Sequence, residues 1–251
     1  MPLFGQLDAA TVRDRLPRMR DFDTEAWELP NADMLYLALE VEIPDADALL
    51  PKAMHPAVPR YVTIVVSRFS QSPVGPFGLA QLRLMGRAGV HPRGYVLQAY
   101  TDSEAATEAL RQRWGFPAAT ADRIALQVYY DHIFAAVSVA GETILDVGLS
   151  HYEAIAGTDI NYIASVHLAE VTEIADPGPR LVQVDPRYTL HRAERGRPVL
   201  RAIAPSAWGC PGFKVVNPIV GTFATVDTDF PQIRFVMDPW RPVTEGTTRL
   251  R

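Results

Sequence analysis

Residues 75–119 read GPFGLAQLRLMGRAGVHPRGYVLQAYTDSEAATEALRQRWGFPAA. Two strand-like runs are followed by a helix and a turn. In an extended first run Phe77, Leu79, Gln81, Arg83 and Met85 share one face, because side chains alternate with period two. Residues 94–100, GYVLQAY, are rich in β formers and return antiparallel. Thr101 and Glu104 have the spacing of a capping box, a hydroxyl three residues before a carboxylate. Ala106, Leu110 and Trp114 then recur at helical spacing, which gives the helix one apolar stripe. Gly115-Phe116-Pro117 ends it, since proline disfavours the α conformation in the residue before it.

Working outward, Asp8 caps a short helix through Val12 and Leu16, and residues 17–33, charged and punctuated by proline, read as part of an N-terminal arm. Residues 34–43 and 61–69 are strands, the second dense in β-branched side chains. After the helix, residues 124–130, 132–140, 142–148, 162–172 and 181–184 continue the strand pattern, with a hairpin turn at Gly141. Residues 187–197, RYTLHRAERGR, read as a polar connection, and residues 198–203, 219–226 and 232–237 as further strands around a loop at 205–218. Roughly ten strands against two or three short helices is more strand than an average domain carries. The fold class expected is α+β: mostly antiparallel β, as a cone-like barrel or strongly bent sheet with a few short helices. It is one domain over residues 1–251, with an arm at 1–30 and a frayed tail at 240–251.

Composition narrows the function. Hydrophobic residues make up 48% of the 251 and charged residues 21%, ordinary for a globular protein that needs no covalent staples. A single cysteine, Cys210, excludes an internal disulfide and fits the cytoplasm. No apolar run approaches the ~20 residues of a membrane helix, and the first residues do not form a signal peptide. The net charge of −5 disfavours nucleic acid as a partner. HExxH, P-loop, GxGxxG and GxSxG motifs do not occur, so no metal or nucleotide cofactor is expected and the partner is a small-molecule substrate. All but two of the 24 Lys and Arg residues are arginine. The exceptions are Lys52 and Lys214, so amine nucleophiles are scarce.

The Gly-Pro-Phe strand start, the helix at 102–114 and the Gly115-Phe116-Pro117 turn, in this order and spacing, resemble the acetoacetate decarboxylase superfamily over most of residues 25–240. The resemblance implies a cone-shaped antiparallel barrel with an internal site, assembled as a homo-oligomer. In the decarboxylases the turn continues Pro-Lys-Lys. The first lysine forms a Schiff base with a β-keto acid, and the second lowers its pKa. Here those places are Ala118 and Ala119. A family glutamate on the first strand falls on Leu79 by direct spacing, or on Gln81 one inward position further on. A substrate-contacting arginine falls on Ala32 or Asp33.

The expected site is therefore an apolar pocket beside Ala118, with Leu79, Trp114 and Phe116 in its wall. Gln81 and Arg83, both donors to oxygen, would bind a carbonyl or carboxylate, unless that face is outside. Tyr100 at the strand end and His151 in GLSHYEA are candidates for moving a proton, or else a core tyrosine and a loop histidine. Asp159, Asn161 and Tyr162 cap a turn as readily as they touch a ligand. The function expected is a lyase- or cyclase-type enzyme acting on a small oxo acid or polyketide-like enol without a Schiff base. The alternatives are a non-catalytic binding protein, or a Schiff-base enzyme using Lys214.

Overall fold

A computed structural model describes residues 4–21, 24–160 and 162–250. Its strands are, in chain order, β1 (Arg18–Met19), β2 (Trp27–Glu42), β3 (Met54–Pro56), β4 (Tyr61–Phe69), β5 (Phe77–Ala88) and β6 (His91–Thr101). After helix α1 (Glu104–Trp114) come β7 (Ala118–Thr120), β8 (Arg123–Val128), β9 (His132–Val139), β10 (Glu142–Ala154), β11 (Ser165–Val171) and β12 (Gly178–Val184). The last are β13 (Tyr188–Ile203), β14 (Lys214–Phe230), β15 (Phe235–Met237) and β16 (Thr247–Arg249). All join one sheet in the order β16-β15-β12-β11-β6-β5-β4-β2-β14-β13-β10-β9-β8, with β1 on β11, β3 on β5 and β7 on β6. Most pairs are antiparallel; β1–β11, β6–β11 and β6–β7 are parallel, so the sheet is mixed.

Short links force this sheet to curl. β12 and β13 stand third and tenth in the order, seven spacings apart, yet only Asp185, Pro186 and Arg187 join them. Seven spacings across a flat sheet are ~34 Å, whereas the four residue steps from Val184 to Tyr188 reach at most ~14 Å. The sheet must bend until those strands face each other. At the other end β8 follows β7 after Ala121 and Asp122, although β7 lies on β6 and β8 is the last strand in the order. That half folds back over the opposite face, where the Leu126 carbonyl accepts a hydrogen bond from Arg68. The sheet is strongly bent and its edges do not meet, so of the two forms expected, cone-like barrel or strongly bent sheet, it takes the second.

Each central strand is buried on both faces, with alternate residues in two cores. Leu35, Leu37, Val62, Ile64, Val66, Ala80, Leu82 and Leu84 belong to one. Met34, Val65, Phe69, Phe77 and Leu79 belong to the other, with Trp27, Trp114, Phe116 and Phe230. The second, inner core lies inside the bend.

Several expectations are corrected. β2 begins at Trp27, inside the expected arm. Pro30 and Asn31 form a β-bulge opposite Asp227, whose carboxylate accepts from the Asn31 amide, so the proline marks a bulge in a continuous strand. Residues 188–197 open β13; they are polar because one side of that strand is exposed. The helix cap is Ser103, which accepts from the Ala106 amide, while Thr101 pairs with the Thr107 hydroxyl at 2.7 Å. The tail is not free: Thr247–Arg249 pairs with β15, and Leu250 is buried in the inner core.

The end of α1 is fixed in two ways. Gly115 takes φ +68° there, and a Cβ on it would stand 2.5 Å from the Ala169 methyl. His167 Nε2 donates to the Trp114 carbonyl at 2.6 Å, and its ring lies 4.4 Å from Phe116. Burial pushes the imidazole down to about 4, so it is neutral near pH 7. Gly115→Ala is expected to destabilise the fold by about 3 kcal/mol in denaturant titration, through left-handed strain and the clash on Ala169. For His167 the unfolded chain binds a proton near pH 6.5 that the folded chain refuses until about 4. Stability is therefore full above that window and falls through it as pH drops, by about 1.4 kcal/mol per unit from this group. His167→Gln, which can keep the donor to Trp114, is expected to flatten that slope in stability curves measured across the same window.

Candidate functional site

On β5 the inner-face residues are Phe77 and Leu79 followed by Gln81 and Arg83, so the apolar alternation turns polar midway along a buried strand. Leu79, Gln81 and Arg83 line a cavity of about 30 Å³ inside the bend. Leu29 and Met34 of β2, Val65 and Phe69 of β4, Phe116, Val184 and Phe230 complete its apolar wall. Its polar wall is Ser67, Gln81, Arg83, Ser165, Tyr188, Thr228 and Asp229. The link that forces the curl therefore also builds the site, bringing Val184, Pro186 and Tyr188 opposite β5.

Arg83 is the central group. Its stem crosses Gly94 of β6, where an added Cβ would lie 2.9 Å from Cδ and 3.2 Å from Cβ of the arginine. Nε donates to Gln81 Oε1 at 2.9 Å, and Nη1 to the Ile163 carbonyl at 3.2 Å. Among the described residues no carboxylate comes within ion-pair distance of it. Burial pulls the guanidinium pKa down, yet a guanidinium remains a cation in a protein. Two phenols, Tyr188 and Tyr36, interact with its charge, and between them stands Tyr162, its ring 4.4 Å from that of Tyr188 and 6.3 Å from that of Tyr36. Burial pushes Tyr36 and Tyr188 up to about 12, although Arg83 pulls the other way, and pushes Tyr162 up as well. All three are neutral donors. Asp229 forms another part of the wall and is held by Arg187 through its amide and Nε, both at 2.8 Å. A buried cation with no counter-charge, among neutral hydroxyl and amide donors, is chemically suited to an anion.

The structure gathers some of the expected residues and separates others. Leu79, Gln81, Arg83 and Phe116 meet at the cavity. Trp114 stands behind it, its indole nitrogen donating to the Pro231 carbonyl at 2.8 Å. Ala118 is buried in the same inner core, paired with Ala99, but it does not line the cavity. The wall near it is the Phe116 ring, two residues earlier, so the chamber expected beside Ala118 is displaced toward Arg83. Tyr100 faces the other core, donating to the Ala207 carbonyl at 2.7 Å with its ring on Trp208. The cause is a bulge: Leu82 pairs with Gln98 but Arg83 with Val96, and this one-residue slip reverses the face of every later side chain. His151 is exposed on β10, at φ +50° beside Ser150, away from the cavity. Lys214 is exposed at the start of β14 and Lys52 pairs with Asp8, so neither amine reaches the cavity. Ala32 is buried in the inner core and Asp33 pairs with Arg68. Asp159 lies in the short turn Gly157–Asp159, and Asn161 lies outside the described residues.

Tyr36, Tyr188, Asp229 and His167 were not singled out as site residues by sequence reasoning. They come from strands far apart in the chain, and their one local signal was a polar residue at an inward position of a buried strand. Asp229 brings a carboxylate to the wall from β14.

Comparison with known proteins places this geometry. The acetoacetate decarboxylase (ADC) family model matches residues 11–234. No curated protein matches significantly. Among solved structures, acetoacetate decarboxylase from Legionella pneumophila subsp. pneumophila str. Philadelphia 1 superposes with TM-score 0.70 at 17% identity, covering 84% of this chain and 86% of that one. The enduracididine biosynthesis enzyme MppR complexed with pyruvate gives 0.64 at 13%, over 82% and 88%. An acetoacetate decarboxylase-like enzyme from Sphingomonas wittichii RW1 gives 0.59 at 18%, over 83% and 92%. At these identities the superpositions speak for the fold, while the family model spans most of the sequence: the chain belongs to the acetoacetate decarboxylase family.

Proposed function

We propose that the chain is a lyase- or cyclase-type enzyme that binds the carboxylate or enolate of a small oxo acid at Arg83 and works without a Schiff base. The observation that carries this is the guanidinium buried at the cavity with no carboxylate partner among the described residues. Arg83 and the Gln81 amide hold the anionic head. Tyr188 donates to the oxygen on which charge develops, an electrostatic role a neutral phenol fills well. Asp229 is the carboxylate placed to take the proton, in the role first considered for Tyr100 and His151. Such a set serves dehydration, cyclisation or aldol-type bond making or breaking. MppR, of the same fold, is seen complexed with pyruvate, which supports an oxo-acid ligand. Alanine at 118 and 119 and the remoteness of both lysines support chemistry without an amine. From family membership we also assign the chain to the cytoplasm as a homo-oligomer.

One observation favours a second reading, a binding protein on the same scaffold: both Asp229 carboxylate oxygens are already taken by Arg187, Oδ1 by its amide and Oδ2 by its guanidinium. Turnover separates the two.

Calorimetric titration with pyruvate and 3-oxobutanoate is expected to give binding that Arg83→Met weakens by about 10- to 100-fold, the range for losing a charge-assisted hydrogen bond. Borohydride added with the same acids is expected to leave the protein mass unchanged. A trapped adduct that Lys214→Ala removes would reinstate amine catalysis.

A further inference from the structure

We propose that the substrate is an oxo acid with an extended apolar body, lying in a cleft on the far side of the tyrosines that screen Arg83. This rests on the reading of Arg83 as the anion-binding group and gives that substrate its class. The chamber is too small for a whole substrate. The chamber of about 30 Å³ has room for about two waters, since one needs ~10–15 Å³. A carboxylate head fits such a space and a whole oxo acid does not, so the remainder must extend beyond the chamber.

A recess of the right kind lies one aromatic layer away. Tyr36 and Tyr162 line a cleft of about 450 Å³, walled further by Tyr61, Ile160, Ile219 and Val220. Arg83 Nη1 binds the carbonyl of Ile163, the residue after Tyr162, and the Tyr162 ring lies against Tyr188 in the chamber wall. The Tyr188–Tyr162–Tyr36 row is therefore the partition between chamber and cleft. Two hydroxyls at this boundary, Tyr162 OH and Thr222 Oγ1, are shut off from solvent and have no hydrogen-bond partner. Buried donors left unpaired cost stability, and a keto or carboxylate oxygen of a threaded ligand would satisfy them.

A second recess touches the chamber at Asp229, but its wall carries Glu25, Asp185 and Asp229 with Arg187 and Arg234. Arg187 clamps Asp229 across it. It sets three carboxylates before an approaching anion. The tyrosine side is the favoured path.

The test is a calorimetric series of straight-chain 2-oxo acids from pyruvate to 2-oxodecanoate. Affinity is expected to rise about three- to fourfold per methylene over the first several carbons. In Ile219→Asp, which puts a charge in the cleft wall, that increment should disappear. In Val90→Asp, an exposed turn residue, it should persist. Pyruvate binding with no gain along the series overturns this inference and leaves the reading of Arg83 intact. No binding of any member overturns both. If Ile219→Asp dissociates an oligomer while the series keeps its slope, the cleft belongs to a second copy of the chain and the proposal fails.

Discussion

A guanidinium taken out of water loses several kcal/mol of solvation unless the protein returns hydrogen bonds or an opposite charge. Arg83 receives the first without the second. Gln81 and the Ile163 carbonyl accept from it, the absence of a side chain at Gly94 leaves room for its stem, and two phenols stand near its charge. Each of these partners is neutral. Arg83 therefore sets a positive potential at its end of the chamber, where charges interact more strongly than in water, while Asp229 in the same wall is paired with Arg187. That potential keeps the neighbouring imidazole of His167 neutral, reinforcing the effect of burial, and favours an anion over any uncharged ligand of equal size.

The fold exists in a form that can house this charge because of its links. A three-residue connection between distant strands bends the sheet around β5, and a two-residue connection folds the other half over the opposite face. Strands β4 and β5 are buried on both sides as a result, so alternate residues build two independent cores. Polar side chains at 81 and 83 are tolerated because they fall on the face with the cavity, while Ala80, Leu82 and Leu84 keep the other face apolar.

What was legible in the sequence follows from the range of the interactions. The inward face of β5, the helix with its Gly115 stop and the dominance of strands are short-range patterns, and they appear where alternation and turn chemistry put them. Two β-bulges defeated the same logic. Pro30 and Asn31 form a bulge within β2 that reads as a break, and the slip near Leu97 turned Tyr100 to the wrong core. Tyr188 and Asp229 reach the site only through the curl, which depends on which strands pair; nothing within a few residues of either announces it. The scarcity of amines was legible, with Lys52 and Lys214 the two lysines of the chain. The place of the cavity was not, because the residues that line it come from strands far apart in the chain.

The account stands on Arg83 as the group that receives an acid, and a crystal structure of the protein soaked with 3-oxobutanoate tests this most directly. Carboxylate density within about 3 Å of the Arg83 guanidinium, with no bond to any side chain, is the result it requires. Density continuous with a lysine amine, or an acid held elsewhere with the Arg83 cavity undisturbed, would contradict it.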